Sequence, residues 1–139
     1  NAIDDAIYSR LLSAFAPGAA YWSQTSYETA GVEKRYFTFR VDLDELRALQ
    51  DRFPIIGDVR GRGLFIGVEL VTDRAAKTPA TALAGYVSNR LRDHRILIGT
   101  DGPDDNVLKI RPPLTIGAAD CDLLLSVLGE VMGEASLIN

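Results

Sequence analysis

Apolar and polar positions alternate most regularly between Gly57 and Val71. Leu64, Ile66 and Val68 fall on one side of an extended chain, and Phe65, Gly67 and Glu69 on the other. Upstream lies another apolar run, Ile55-Ile56 through Val59. The intervening Gly61-Arg62-Gly63 can take the positive φ of a tight reversal, so 57–71 reads as a β-hairpin. The N-terminal region has a different period. Ile3, Ile7, Leu11 and Phe15 recur every four residues, Asp4 and Asp5 suit the positive end of a helix dipole, and Pro17-Gly18 ends the pattern, which predicts a helix over 3–16. Residues 20–29 are rich in Tyr, Trp, Ser and Thr, and Phe37, Phe39 and Val41 then alternate with Tyr36, Thr38 and Arg40, giving a second hairpin. Its rings could stack on a base or sugar, but aromatic residues at strand spacing more often supply buried area.

Leu43, Leu46, Leu49 and Gln50 mark a short helix that Asp42 or Asp44 can cap. Thr78-Pro79 looks like an N-cap followed by proline at the first helical position. Leu83, Tyr86, Val87, Leu91 and His94 then form one buried stripe, with Arg90, Arg92 and Arg95 at the C-terminal turn. Ile96-Leu97-Ile98 reads as a short strand, 100–106 as a polar turn and Val107 to Arg111 as another strand, stopped by Pro112-Pro113. Cys121, Leu124, Leu125, Leu128 and Met132 mark a closing helix. The expected fold is α+β: a mainly antiparallel sheet from the 57–71 hairpin and strands near 96–99 and 107–111. Helices near 43–52, 79–93 and 117–134 pack on one face, leaving the other for a partner or for the N-terminal segment. No Gly/Ser linker or charge run separates 1–42 from 43–139, so the first segment should pack on the second.

Composition narrows the function. At 139 residues and 47% hydrophobic, the chain can bury one substantial core. A net charge of −4 and a pI near 4.9 argue against a nucleic-acid partner, which needs concentrated basic surface. Cys121 is the single cysteine and cannot form an internal disulfide. Neither an apolar run of membrane-spanning length nor a leader is visible, so a cytoplasmic protein without a membrane partner is expected. The chain does not begin with Met, which suggests a fragment or a processed product.

The residues with the clearest chemistry are Lys109 and Arg111. Two apart on a strand, they share a face while Leu108 and Ile110 point the other way, so both cations can converge on one carboxylate or phosphate. Against this stands the plain reading of two solvated cations on a surface strand. Gly61, Gly63 and Gly67 precede a strand and not a helix N-terminus, which favours a turn over a phosphate loop. Arg60 and Arg62 at that turn could meet a partner domain, although exposed arginines are commonly nonspecific. His94 has no nucleophile placed near it in any motif, Cys121 lies on an apolar helix face as a structural thiol, and Asp104-Asp105 lack the alternating oxygen ligands of a calcium loop. No catalytic residue and no metal site is assigned.

Two stretches in order, Asp58-Val59-Arg60-Gly61-Arg62-Gly63-Leu64-Phe65-Ile66-Gly67-Val68-Glu69-Leu70 and Val107-Leu108-Lys109-Ile110-Arg111-Pro112-Pro113-Leu114, followed by an amphipathic helix, resemble the C-terminal small domain of class III pyridoxal-phosphate-dependent aminotransferases. The resemblance covers about residues 43–134; residues 1–42 match no part of that family. It implies the small domain of a fold type I enzyme that moves an amino group between an amine or amino acid and a keto acid. It also implies a basic residue ahead of the Pro-Pro-Leu that holds the substrate carboxylate. The commoner pattern has Arg four positions before the second proline; here that residue is Lys109, with Arg111 added, which leaves the substrate class open. In the family the Schiff-base lysine, the acidic partner of the pyridinium nitrogen and the phosphate pocket belong to a large domain. Lys34, Lys77 and Lys109 are the lysines of this chain and none stands in that context. The implied partner is thus a large cofactor-binding domain or a second subunit, with homo-oligomerisation left open. The chain alone should be non-catalytic and hold no pyridoxal phosphate. The competing expectation is a non-catalytic interaction module on the same scaffold.

Overall fold

A computed structural model describes residues 22–29, 32–39 and 43–138. Strands β1 (Trp22–Thr29) and β2 (Val32–Phe39) pair antiparallel from Trp22 opposite Phe39 to Thr29 opposite Val32, which is the aromatic-rich hairpin expected from alternation. The helix expected over 3–16 lies outside the described residues.

The second sheet has the order β3 (Ile56–Arg62), β4 (Phe65–Asp73), β7 (Val107–Ile110), β6 (Gly99–Asp101), and the two-residue β5 (Thr78–Pro79) pairs with the far end of β4. Every pairing is antiparallel. The β3–β4 reversal occupies Gly63 and Leu64, and Gly63 takes φ +60 as the first central residue of a two-residue hairpin loop. Gly61 belongs to β3 and not to the turn. There a Cβ would stand 2.4 Å from the carbonyl oxygen of Phe65, so the two strands close only over a glycine.

Helices α1 (Leu43–Arg52), α2 (Thr81–Asp93) and α3 (Ala118–Ser136) cover one face of this sheet. Alternation decides which residues they bury: Ile66, Val68 and Leu70 from β4, and Leu108 and Ile110 from β7, meet Leu83, Val87 and Leu91 of α2 and Leu124, Leu128 and Met132 of α3. Cys121 is buried among them as expected, and burial pushes its thiol pKa up. Arg90 of α2 donates from Nε and Nη2 to both oxygens of Glu134 in α3, at 2.8 and 2.9 Å, and the Tyr86 hydroxyl adds a third contact. Buried Asn106 donates to the Leu70 carbonyl and accepts from the Leu70 N–H, both at 2.8 Å, which stitches the start of β7 to β4.

Three local expectations are corrected. Thr78-Pro79 does not open α2: Pro79 pairs with Val71, the Ala80 N–H donates to the Leu70 carbonyl, and buried Ala80 is the N-cap residue. Ile96-Leu97-Ile98 is not a strand. Ile96 and Ile98 pack against the core from an irregular segment, Leu97 is 83% exposed, and the strand begins three residues later than expected because β7 pairs with Gly99, Thr100 and Asp101. His94 is half-buried at the C-terminal end of α2, at the margin of the stripe. Among the described residues, no helix is long and apolar enough to cross a membrane.

Candidate functional site

The face of the sheet away from the helices carries Arg60, Gly67, Glu69, Val107 and Lys109 by the same alternation that buries their neighbours. The register places Lys109 directly between two glycines, Gly67 on β4 and Gly99 on β6, with Arg60 on the far side of Gly67. A strand position without a side chain leaves backbone open to approach. Lys109 therefore has no side chain directly opposite it on either strand, with open space at Gly99 and the Val107 and Arg60 side chains leaning over Gly67.

With nothing opposite it at Gly99, the Lys109 ammonium reaches diagonally along β6 and forms an ion pair with Asp101. The second Asp101 oxygen accepts the Gly102 N–H at 2.9 Å. These contacts, Lys109 first and then the Gly102 N–H, hold the Asp101 carboxyl below the usual carboxylate range, and Arg111 contributes through space. Arg111 follows the last residue of β7. Its guanidinium carbon lies 6.0 Å from the centre of the exposed Phe65 ring, and among the described residues it makes no ion pair.

Lys109 and Arg111 together line a groove of about 770 Å³ that continues past Gly99, Pro112 and Leu123. Lys109 also borders a second groove of about 450 Å³ with Arg60, Phe65, Gly67 and Asp101. Sequence alternation alone placed the two cations on a common face, and the structure brings them to a common groove. The other candidates lie elsewhere. Arg60 donates to Asp58 at 2.9 Å and to Glu69 at 2.5 Å, so its charge is balanced on the surface. Arg62 is exposed beside the hairpin turn. Asp104 uses its carbonyl to receive the Thr81 hydroxyl, and no cluster of metal-ligating side chains occurs among the described residues. Asp101 and Gly99 escaped sequence reasoning. The signal that finds them is cross-strand register, which places Gly99 opposite Lys109 and Asp101 two pairs further on, opposite Val107 and on the same face.

Such an arrangement can bind a small oxyanion through two neighbouring cations, one in an internal ion pair and one against an aromatic ring. The family model described as Aminotransferase class-III matches residues 38–132. Alanine–glyoxylate aminotransferase 2-like of Drosophila melanogaster is 45% identical over 84 residues, covering 60% of this chain and 17% of its own length. The mitochondrial alanine–glyoxylate aminotransferase 2 homolog 2 of Arabidopsis thaliana is 43% identical over 91 residues, 66% of this chain and 19% of its own. Among solved structures, an Arthrobacter phospholyase in complex with phosphoethanolamine superposes with a TM-score of 0.62 at 38% identity, covering 65% of this chain and 21% of that one. The chain thus spans about a fifth of the length of these proteins. A matched family model over most of its residues and a sheet and helices shared with solved members establish that this chain belongs to the class III aminotransferase family.

Proposed function

We propose that this chain acts as the C-terminal small domain of a pyridoxal-phosphate-dependent class III enzyme, one that moves an amino group between an amine or amino acid and a keto acid. In that enzyme Lys109 and Arg111 meet the carboxylate of the substrate. The observation that carries the reading is the pair of cations on the open face of a sheet whose other face is sealed by helices. The open face is where a larger partner domain and its substrate would approach.

The family is dependent on pyridoxal phosphate, which supplies the electron sink for amino transfer when bound. Neither Lys77 nor Lys109 suits that group. Lys77 is exposed in the loop between β4 and β5, and Lys109 is ion-paired on an open surface, so neither stands in an enclosed pocket beside an acid for a ring nitrogen. The cofactor is accordingly assigned to a large domain or a second subunit. The phosphoethanolamine in the Arthrobacter phospholyase raises a phosphate ester as the anionic end. A carboxylate is preferred here because Asp101 cancels one of the two positive charges that Lys109 and Arg111 bring to the groove.

Acetate titration followed by NMR at the Lys109 and Arg111 backbone amides tests this reading. Two partly solvated contacts of about 1 kcal/mol each predict weak binding, on the order of tens of millimolar. The shifts should vanish in a Lys109→Ala, Arg111→Ala double variant. Equal shifts in both proteins would reduce these cations to a solvated strand face.

A further inference from the structure

Among the neighbours of Lys109 on the open face, Gly67, Gly99 and Asp101 differ in kind. Gly67 and Gly99 flank it with no side chain, and a Cβ built on Gly99 would meet nothing within 4 Å. Of these three Asp101 carries charge, and it is anchored: one oxygen meets Lys109 and the other accepts the Gly102 N–H at 2.9 Å. Gly102 has φ +89, so the chain turns immediately after this contact. Asp101 is half-exposed, with its side chain 50% accessible, so an incoming anion can reach the same ammonium. The carboxylate already at Lys109 is chemically the same kind of group as the ligand proposed for the site.

We infer that Asp101 is a specificity-determining residue that sets the charge of the accepted anion: by occupying Lys109 it leaves the Lys109–Arg111 groove with one net positive charge, matched to a singly charged carboxylate and poorly matched to a doubly charged phosphate ester. The inference rests on the anion-site reading above and goes further, because it names the group that selects between two oxyanions. The charge count is direct. Arg95, Lys109 and Arg111 line the groove with three positive charges and Asp120 removes one, Asp101 beside Lys109 removes a second, and Arg60 across Gly67 is more than offset by Asp58 and Glu69 and adds no positive charge. A monoanion entering beside Arg111 leaves the groove neutral. A dianion leaves it negative, with like charges facing each other across Lys109. At a separation of about 4 Å in a watery environment, each ligand charge feels Asp101 by roughly five-fold in affinity. Losing the Asp101 charge should therefore strengthen a monoanion about five-fold and a dianion by about the square of that factor.

The test titrates acetate and methyl phosphate separately into the chain and into Asp101→Asn. The pH is held well above the second ionisation of methyl phosphate, the ionic strength is constant, and the Lys109 and Arg111 amides report binding. Asparagine keeps the shape and an oxygen for the Gly102 N–H, and the Leu108 and Ile110 amides report whether β6 and β7 remain paired. Should that pairing loosen, Asp101→Ser carries the test. The expected result is a shift of the methyl phosphate to acetate affinity ratio by about five-fold in favour of the phosphate. An unchanged ratio, with both anions still binding at Lys109, overturns the role of Asp101 and leaves the anion site standing. Absence of binding by either anion in both proteins overturns the site and this inference with it.

Discussion

The two faces of the β3–β4–β7–β6 sheet are built from alternate residues of the same strands, yet they answer to different demands. On the helix side, Val68, Leu70 and Leu108 are 0% exposed and fill space against α2 and α3. On the open side the corresponding positions are Gly67, Glu69, Val107 and Lys109, where side chains are small, charged or missing. Removal from water accounts for the first face. The second gains little from burial, and its order comes from charge pairs: Arg60 with Asp58 and Glu69, and Lys109 with Asp101. A strand can thus serve stability with one set of residues and ligand chemistry with the next.

The sharpest way to break this comparison is to truncate one residue on each face. Leu108→Ala removes a fully buried side chain between the sheet and the helices, and should cost about 2–5 kcal/mol in urea unfolding. Phe65→Ala, at a position 58% exposed, should change stability by no more than about 0.5 kcal/mol. Equal losses would mean that the open face is part of the core in solution.

A smaller effect separates two ion pairs, one half-buried between helices and one on the open face of the sheet. Glu134 is held by Arg90, first through their hydrogen bonds, so its carboxyl lies at about 2 instead of the ordinary 4.5. Because the folded value is the lower one, this contribution to stability is fully present above pH 4.5. It fades as the pH falls from there towards about 2, where the folded carboxyl also takes up a proton. Glu134→Gln should remove the steepest part of the acid loss from a plot of melting temperature against pH. Asp101→Asn should alter that plot much less, since Asp101 bridges adjacent strands on the solvent face whereas Glu134 ties two helices together. Matching changes in the two variants would show that both pairs act on the fold alike.

How much of this could be read from the chain depended on whether a residue's role was local. Strands β4 and β7 were legible because burial on one face imposes a period of two, and α1 and α3 because burial on one side imposes a helical period. The same alternation was enough to put Lys109 and Arg111 together. Strand β6 was misplaced by one segment. Gly99-Thr100-Asp101 carries no apolar signal, whereas Ile96-Leu97-Ile98 next to it does, and only the free edge of β7 turns the polar triplet into a strand. Thr78-Pro79 has the local chemistry of a helix start, but the free edge of β4 captured it first, and the cap moved to Ala80. Asp101 as the partner of Lys109 lies beyond any local rule, since the pairing depends on the register between β6 and β7 and on the empty position at Gly99.

The central claim is that this chain carries the part of a class III enzyme that handles the substrate anion and not the part that holds the cofactor. Adding pyridoxal phosphate to the chain and recording its absorption tests that most directly. The account predicts weak, nonspecific reaction spread over surface amines, with no stoichiometric Schiff-base band. A stoichiometric band that disappears when one of Lys34, Lys77 or Lys109 is changed would contradict it.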